Sequence, residues 1–396
     1  MGELSTMVLP MKLRSIDEMP ELKGKRVLVR VDHNVEFDQD GKLKDDRKLK
    51  LSIPTLEALA SRGAELVLMT HVGRPKGKVV ENLRTAPIAE HLRTLSKKLG
   101  NFTYLENVRF DTGEEGNDPS TIKELASHGE FFVNEAFPSL HMYEEASTCG
   151  VARLLPSYAG YHLIEETNML SALIEDPRRP VLLLMSGAKM ETKIPVIRRF
   201  LEVADTILLG GAIANTFIAA RGFDVGTSKY EEDAMDLAQE LMLEADKVEK
   251  ADIHIPRDAV LASEVSEEAT KIDLPLEDIV GDMMILDIGT VTVKRYCDEI
   301  AKAGTIIWNG PMGLYEYNRF SHGTKRIAEA IAEATKKGAY SVIGGGDTLD
   351  FHARYDYPID CYSFVSSGGG AMIEFLSAEK PLPALVPMLM EKEVTA

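Results

Sequence analysis

The chain has 396 residues, 44% of them hydrophobic and 27% charged, a globular composition long enough for two cores. Its formal net charge of −18 argues against nucleic acid or an anionic membrane as the main partner, while local basic clusters leave room for small anionic substrates. Cys149, Cys297 and Cys361 are widely spaced, without C-x-x-C, which fits a reduced cytoplasm; the acidic start and the polar breaks in the apolar stretch 207–220 point to neither a signal peptide nor a membrane span.

Short β-branched runs alternate with helical patterns along most of the chain. The first predicted strand, 27–31, ends in Asp32-His33-Asn34. Arg47 and Lys48 follow Asp45-Asp46, ahead of a helix predicted over 53–61. A second strand, 66–69, runs into Thr70-His71-Val72-Gly73-Arg74-Pro75. After a helix over 86–99, Leu105-Glu106-Asn107-Val108-Arg109-Phe110 reads as another strand end. Arg74 and Arg109 suit bidentate grip of carboxylate or phosphate. A lone arginine is usually a solvated surface charge. The recurrence of cations at successive strand ends is what points to one anion site. His33 and His71 read equally well as satisfied structural histidines, and neither is assigned as a base.

A strand over 131–133 and a helix over Tyr161–Glu175 follow, and Asp176-Pro177-Arg178-Arg179-Pro180 then marks a domain boundary. Beyond it, strand 181–184 runs into Ser186-Gly187-Ala188-Lys189, with Lys193 four residues further on. Two ammonium groups beside a glycine turn suit a polyphosphate, and they share one helical face if the helix has begun. A pair of surface lysines is an equally good reading. Strand 206–209 ends in Gly210-Gly211-Ala212, which allows close approach by a base or ribose, or tight helix–strand packing. Helices over 194–203 and 230–245 and a strand over 284–286 come next. Strand 305–308 leads into Asn309-Gly310-Pro311-Met312-Gly313, a rigid wall for adenosine, with Glu316 placed to accept from ribose hydroxyls. After a helix over 324–336, strand 341–343 ends in Gly344-Gly345-Gly346-Asp347-Thr348. Such glycines let free N–H groups at a helix start face an anion. Asp347 there suits Mg²⁺, which takes one or two carboxylates plus phosphate oxygens. A second triple-glycine strand end, Ser366-Ser367-Gly368-Gly369-Gly370, weakens the reading as ordinary turns. The alternation predicts an α/β fold of doubly wound parallel sheets with ligands at the strands' carboxyl ends. G-x-x-x-x-G-K-[ST], a helix-opening G-x-G-x-x-G, H-E-x-x-H and G-x-S-x-G are all absent.

Taken together, the segments 26–34, 71–75, 105–110, 308–313, 344–348 and 366–370 resemble the phosphoglycerate kinase family, over nearly the whole chain. The resemblance implies two doubly wound, Rossmann-like domains: residues 1–160 for phosphoglycerate, a helix over 161–176, residues 177–370 for nucleotide, and 371–396 returning to the first domain. It implies reversible transfer between ATP and the carboxylate of 3-phosphoglycerate, giving ADP and 1,3-bisphosphoglycerate, with hinge closure. The acceptor falls to Asp32, Asn34, Arg47 or Lys48, His71, Arg74 and Arg109. The nucleotide falls to Gly187, Lys189, Lys193, Gly211, Asn309, Glu316, Gly344, Gly345, Gly346, Asp347 and Thr348, with Mg²⁺ at Asp347. Lys189, Lys193, Arg47, Gly345 and Gly346 would carry the transfer. A cytoplasmic monomer binding neither nucleic acid nor membrane is expected.

Three features depart from the family pattern, all in the acceptor half. The link between Gly73-Arg74-Pro75 and Leu105-Glu106-Asn107 is shorter by some 25 residues, a strand and a helix. Met142 stands where the resemblance places a phosphate-binding arginine, and Glu144 and Glu145 follow soon after. Counting back from Pro54 puts Lys48, not Arg47, at another family arginine, and lysine lacks the bidentate fork. A kinase for another small carboxylate and a nucleotide-binding protein without catalysis are therefore the alternative readings.

Overall fold

The apolar runs expected to form strands do so in the computed structural model, which describes residues 11–38, 41–142, 145–247 and 251–390. The described residues fall into two units, one running to Ser171 and resuming at Ala378, the other spanning Ala172–Ser377.

The first unit holds β1 (Arg26–Arg30), α1 (Arg47–Ser61), β2 (Glu65–Met69), α2 (Ala86–Leu95), β3 (Thr103–Tyr104), α3 (Pro119–Ser127), β4 (Phe131–Asn134), α4 (Val151–Leu154) and β5 (Ser157–Ala159). Its five strands form a parallel sheet in the order β3-β2-β1-β4-β5. Successive side chains of a strand point to opposite faces, so Val27 and Val29 enter one core while Leu28 enters another with Phe132 and Met69. Burial on both faces explains why these strands read as continuous apolar runs. Helix α1 starts six residues before the expected position. Pro54, which reads as a helix start, lies inside it, and burial of Leu49, Ser52, Thr55, Leu56 and Leu59 carries the interior proline. The helix expected over 86–99 breaks at Ser96, whose extended backbone ends α2 and whose hydroxyl caps a separate 3-10 turn over Lys97–Leu99. Helix α5 (Tyr161–Glu175) carries the chain across the division between the units.

The second unit continues with β6 (Val181–Met185), α6 (Met190–Phe200), β7 (Thr206–Leu209), α7 (Gly211–Ala220), α8 (Met235–Lys247), β8 (Asp252–His254), β9 (Asp258–Ala262), β10 (Lys271–Pro275), β11 (Met284–Ile288), α9 (Thr290–Ile300), β12 (Thr305–Asn309), α10 (His322–Lys336), β13 (Tyr340–Gly344), α11 (Gly346–Arg354), β14 (Phe364–Val365) and α12 (Gly369–Ser377). Six of its strands form a parallel sheet in the order β14-β13-β12-β6-β7-β8. The core joins Leu182, Leu184, Ile306, Trp308, Ile343 and Phe351. One expectation changes. The run at 284–286 is not part of the parallel sheet: β11 pairs antiparallel with β9, and β9 with β10, in a separate three-stranded sheet. Mostly exposed, β10 shows no apolar run that would announce it. Helix α12 stays with this unit, burying Ala371, Met372, Phe375 and Leu376.

In both parallel sheets the strand order reverses beside a central strand, between β1 and β4 and between β12 and β6. Ligands of such sheets sit at the carboxyl ends near that reversal. Among the described residues, no helix is long and apolar enough to cross a membrane.

Candidate active site

In the first unit, the loops after β1, β2 and β3 are spliced by two asparagines. The Asn34 side-chain oxygen accepts from the Gly73 amide at 2.9 Å. Buried Asn107 accepts from the amides of Val72 and Arg109, at 3.1 and 3.2 Å, and donates to the carbonyls of Val72 and Leu83. Residues 105–110 follow directly on the end of β3, the Leu105 amide still bonding the Leu68 carbonyl at 2.8 Å. Asn107 caps a 3-10 turn, Val108–Phe110, that presents Arg109.

The candidate acceptor residues divide into engaged and free. Lys48 Nζ lies 2.9 Å from the Asp32 carboxylate and donates to the Asn34 carbonyl at 3.1 Å. Arg47, its neighbour in the first turn of α1, is half-buried, and among the described residues its guanidinium has no hydrogen-bond or ion-pair partner. Arg74 is exposed and equally unpaired among them. Arg109 is not free. It is 6% exposed, donates to the Gly73 carbonyl at 2.9 Å, and meets the Glu145 carboxylate at 2.6 Å. The Met142 sulfur lies 3.2 Å from the same guanidinium nitrogen. Tyr143 and Glu144 lie outside the described residues.

Neither histidine is a base. His33 donates through Nε2 to Ser52, whose hydroxyl is spent on the Leu49 carbonyl, and accepts the Tyr104 hydroxyl at Nδ1. Complete burial pushes its pKa down to about 3. His71 accepts from the Arg30 guanidinium at Nδ1, 2.8 Å away, and because arginine cannot accept, the ring proton sits on Nε2. Burial, then the charges of Arg30 and Arg109, hold His71 well below its usual range.

In the second unit, a cleft of about 440 Å³ opens at the carboxyl edge of the sheet. Gly187, Gly211, Glu316 and Asp347 line it, whereas Lys189, Lys193, Asn309, Gly344, Gly345, Gly346 and Thr348 do not. Met312, Leu314 and Tyr315 after β12 also line it, with Met284, Ile285 and Leu286 of β11. That second apolar wall was missed, because 284–286 reads as one more parallel strand. Gly211 opens α7 with φ +60°, and a Cβ there would lie 3.1 Å from the Gly187 amide, so backbone meets backbone at this point.

Helix α6 begins only at Met190, so Lys189 is its extended N-cap and does not share a helical face with Lys193. Lys189 is exposed, whereas Lys193 is largely desolvated and donates to the side-chain oxygen of buried Asn309. Burial lowers the Lys193 pKa to about 8, against the opposing charge of Asp347. Asn309 donates in turn to the Gly344 carbonyl at 2.9 Å. Gly345 precedes α11 with φ +109°, a conformation that glycine alone adopts without strain, and Gly346, Asp347 and Thr348 form the helix's first turn. The Thr348 hydroxyl accepts from the Gly310 amide at 2.9 Å, tying the two nucleotide-side loops together.

The phosphoglycerate kinase family model matches residues 16–103 and 96–379. The chain belongs to the phosphoglycerate kinase family. The two matched segments overlap at 96–103. The chain is 40% identical over 391 residues to the phosphoglycerate kinase of Gloeothece citriformis, covering 93% of this chain and 96% of that one. It is 40% identical over 389 residues to that of Chloroflexus aurantiacus, covering 92% and 96%. Among solved structures, the phosphoglycerate kinase of Coxiella burnetii superposes with a TM-score of 0.85 at 34% identity, over 95% of this chain and 99% of that one. The Pyrococcus horikoshii enzyme superposes with a TM-score of 0.78 at 29% identity, over 95% and 98%.

Asp347 is exposed in the first turn of α11, and among the described residues no group of three or more His, Cys, Asp or Glu side chains could hold a metal by itself. A lone carboxylate fits an ion that takes most of its oxygens from phosphates and water.

Proposed function

We propose that this chain transfers a phosphoryl group reversibly between ATP and the carboxylate of 3-phosphoglycerate, giving ADP and 1,3-bisphosphoglycerate. One observation carries the reading. Among the described residues the side chains of Arg47, Arg74 and Lys189 have no hydrogen-bond or ion-pair partner and Lys193 is held by a neutral amide, while His33 and His71 are neutral and locked. A carboxylate acceptor is ionised at neutral pH and needs no base. Transfer then depends on alignment and on neutralising charge. Neither alternative, a kinase for another carboxylate or a non-catalytic nucleotide binder, has support in the family comparisons.

In this reading the nucleotide lies in the cleft against Gly187, Gly211 and Glu316, with its phosphates toward Lys189, Lys193, Gly344, Gly345, Gly346 and Thr348, and with Asn309 holding Lys193. Asp347 holds the Mg²⁺ that travels with ATP, and the ion neutralises phosphate charge. The acceptor meets Asp32, Asn34, His71, Arg74 and Arg47, with Lys48 orienting Asp32. Lys193, held by Asn309, and Arg47, partly desolvated, face the charge that moves. The two substrates are bound on different units, so hinge closure is the step this chemistry requires.

Phosphorus NMR tests the reaction directly. Mixing the protein with MgATP and 3-phosphoglycerate should produce ADP together with an acyl-phosphate resonance. Absence of both from a folded sample overturns the proposal.

A further inference from the structure

Arg109 sits where the acceptor site would use it, yet its charge is already claimed. Its guanidinium donates to Glu145 at 2.6 Å and to the Gly73 carbonyl at 2.9 Å. Glu145 is as buried as its partner, and its second oxygen lies 3.7 Å from the fully buried Arg30. Arg30 is otherwise held by neutral groups: the Ser147 hydroxyl, the Val31 carbonyl and His71 Nδ1. Glu114, the other buried acid here, bonds Ser147, and its desolvated carboxyl is pushed up to about 7. It is therefore a weak counterion at neutral pH. Glu145 thus serves two buried guanidinium groups, and the other carboxylate near Arg109 among the described residues, Glu115, is exposed and 3.8 Å from Nε.

The backbone fixes that carboxylate in place. Glu145 is the extended residue before a π turn over Ala146–Gly150, and its carbonyl accepts from the Cys149 amide at 3.1 Å. Such turns are rare and concentrate at functional sites. Met142, whose sulfur lies 3.2 Å from the Arg109 guanidinium, carries no charge and offers Glu145 no second cation.

We propose that Glu145 is a positioning residue that sets acceptor affinity by competing with the substrate anion for Arg109. The inference rests on the reading of this site as the phosphoglycerate site. With the ion pair closed, Arg74 meets the non-reacting end of the acceptor alone. Binding through Arg109 requires the substrate's phosphate to displace a protein carboxylate.

The test is steady-state kinetics with 3-phosphoglycerate and ATP varied separately. Glu145→Gln keeps the shape and an acceptor for Arg109 while removing the charge. Met142→Arg leaves Glu145 intact and supplies it with a second cation. Each change should lower KM for 3-phosphoglycerate by roughly tenfold, the scale of one charged hydrogen bond, with KM for ATP unmoved. A merely structural role would lower kcat or shift both KM values together. If Glu145→Gln does not fold, Glu145→Ala, which also removes the charge, decides in its place, because an arginine at 142 can itself bind the substrate phosphate. An unchanged or raised KM for 3-phosphoglycerate in the folded variants, beside an active wild type, overturns the inference and leaves the enzyme assignment standing. No turnover by the wild type overturns both.

Discussion

Replacing Asn309 by leucine should move the alkaline limb of the kinase's pH profile. Asn309 is 3% exposed, and its side-chain oxygen is the acceptor that the Lys193 ammonium has in the folded protein. Lys193 already titrates at about 8, because burial disfavours its charged form. A hydrogen bond to a charged group is worth about 1.5–3 kcal/mol, and one pKa unit corresponds to about 1.4 kcal/mol. Losing that bond should lower the Lys193 pKa by roughly one to two further units. The sign is fixed by the chemistry, since the protonated lysine neutralises phosphate charge and activity falls as pH rises through its pKa. The assay is kcat/KM for ATP from about pH 6 to about pH 10, which reports the free enzyme. The wild-type limb should fall near the Lys193 value, and that of Asn309→Leu about one to two units lower. At about pH 7.5 this amounts to roughly a tenfold loss. Asn309→Asp should shift the limb upward, because a carboxylate favours the ammonium. A limb that stays in place in both variants refutes the reasoning.

Other predictions follow from single groups. Gly346 has open space where a Cβ would go, so Gly346→Ala should fold normally yet raise KM for ATP about tenfold if phosphate approaches that backbone closely. Gly345→Ala forces an L-residue to φ +109° and sets its Cβ 3.0 Å from the Asn309 amide nitrogen, so it should cost about 1–3 kcal/mol in denaturant unfolding as well as activity. Arg74→Ala removes an exposed guanidinium that is unpaired among the described residues, so KM for 3-phosphoglycerate should rise about ten- to a hundredfold at unchanged stability. Glu135 is buried, and burial raises its carboxyl from 4.5 to about 7. The folded state therefore holds a proton that the unfolded chain has released across that window, and stability falls as pH rises through it. Glu135→Gln should remove roughly 3–4 kcal/mol of that pH-dependent loss in urea unfolding.

The parallel sheets and most of the site loops were legible because both obey local rules. Continuous apolar strands reveal burial on two faces, and glycines at their carboxyl ends reveal where the backbone turns tightly or packs closely. Gly345, with φ +109°, and Gly211, packed against Gly187, are such positions. The antiparallel sheet was not legible, since β10 is exposed and β11 reads like any buried strand. Lys189 and Lys193 looked equivalent at a spacing of four, and only the start of α6 separates an exposed cap from a desolvated donor. Met142 was visible as a missing cation. That Glu145 occupies Arg109 was not, because the pair lies 36 residues apart and depends on the π turn that follows. The ambiguity between Arg47 and Lys48 also needed coordinates: Lys48 is bound to Asp32, and among the described residues the Arg47 guanidinium has no partner.

The central claim is tested most directly by ATP consumption dependent on 3-phosphoglycerate, with 1,3-bisphosphoglycerate formation coupled to nicotinamide oxidation and with Lys189→Ala and Lys193→Ala alongside. The account predicts robust turnover by the wild type that both substitutions abolish or sharply reduce. A folded wild type that binds ATP but shows no turnover, or lysine variants that match it, would contradict the account.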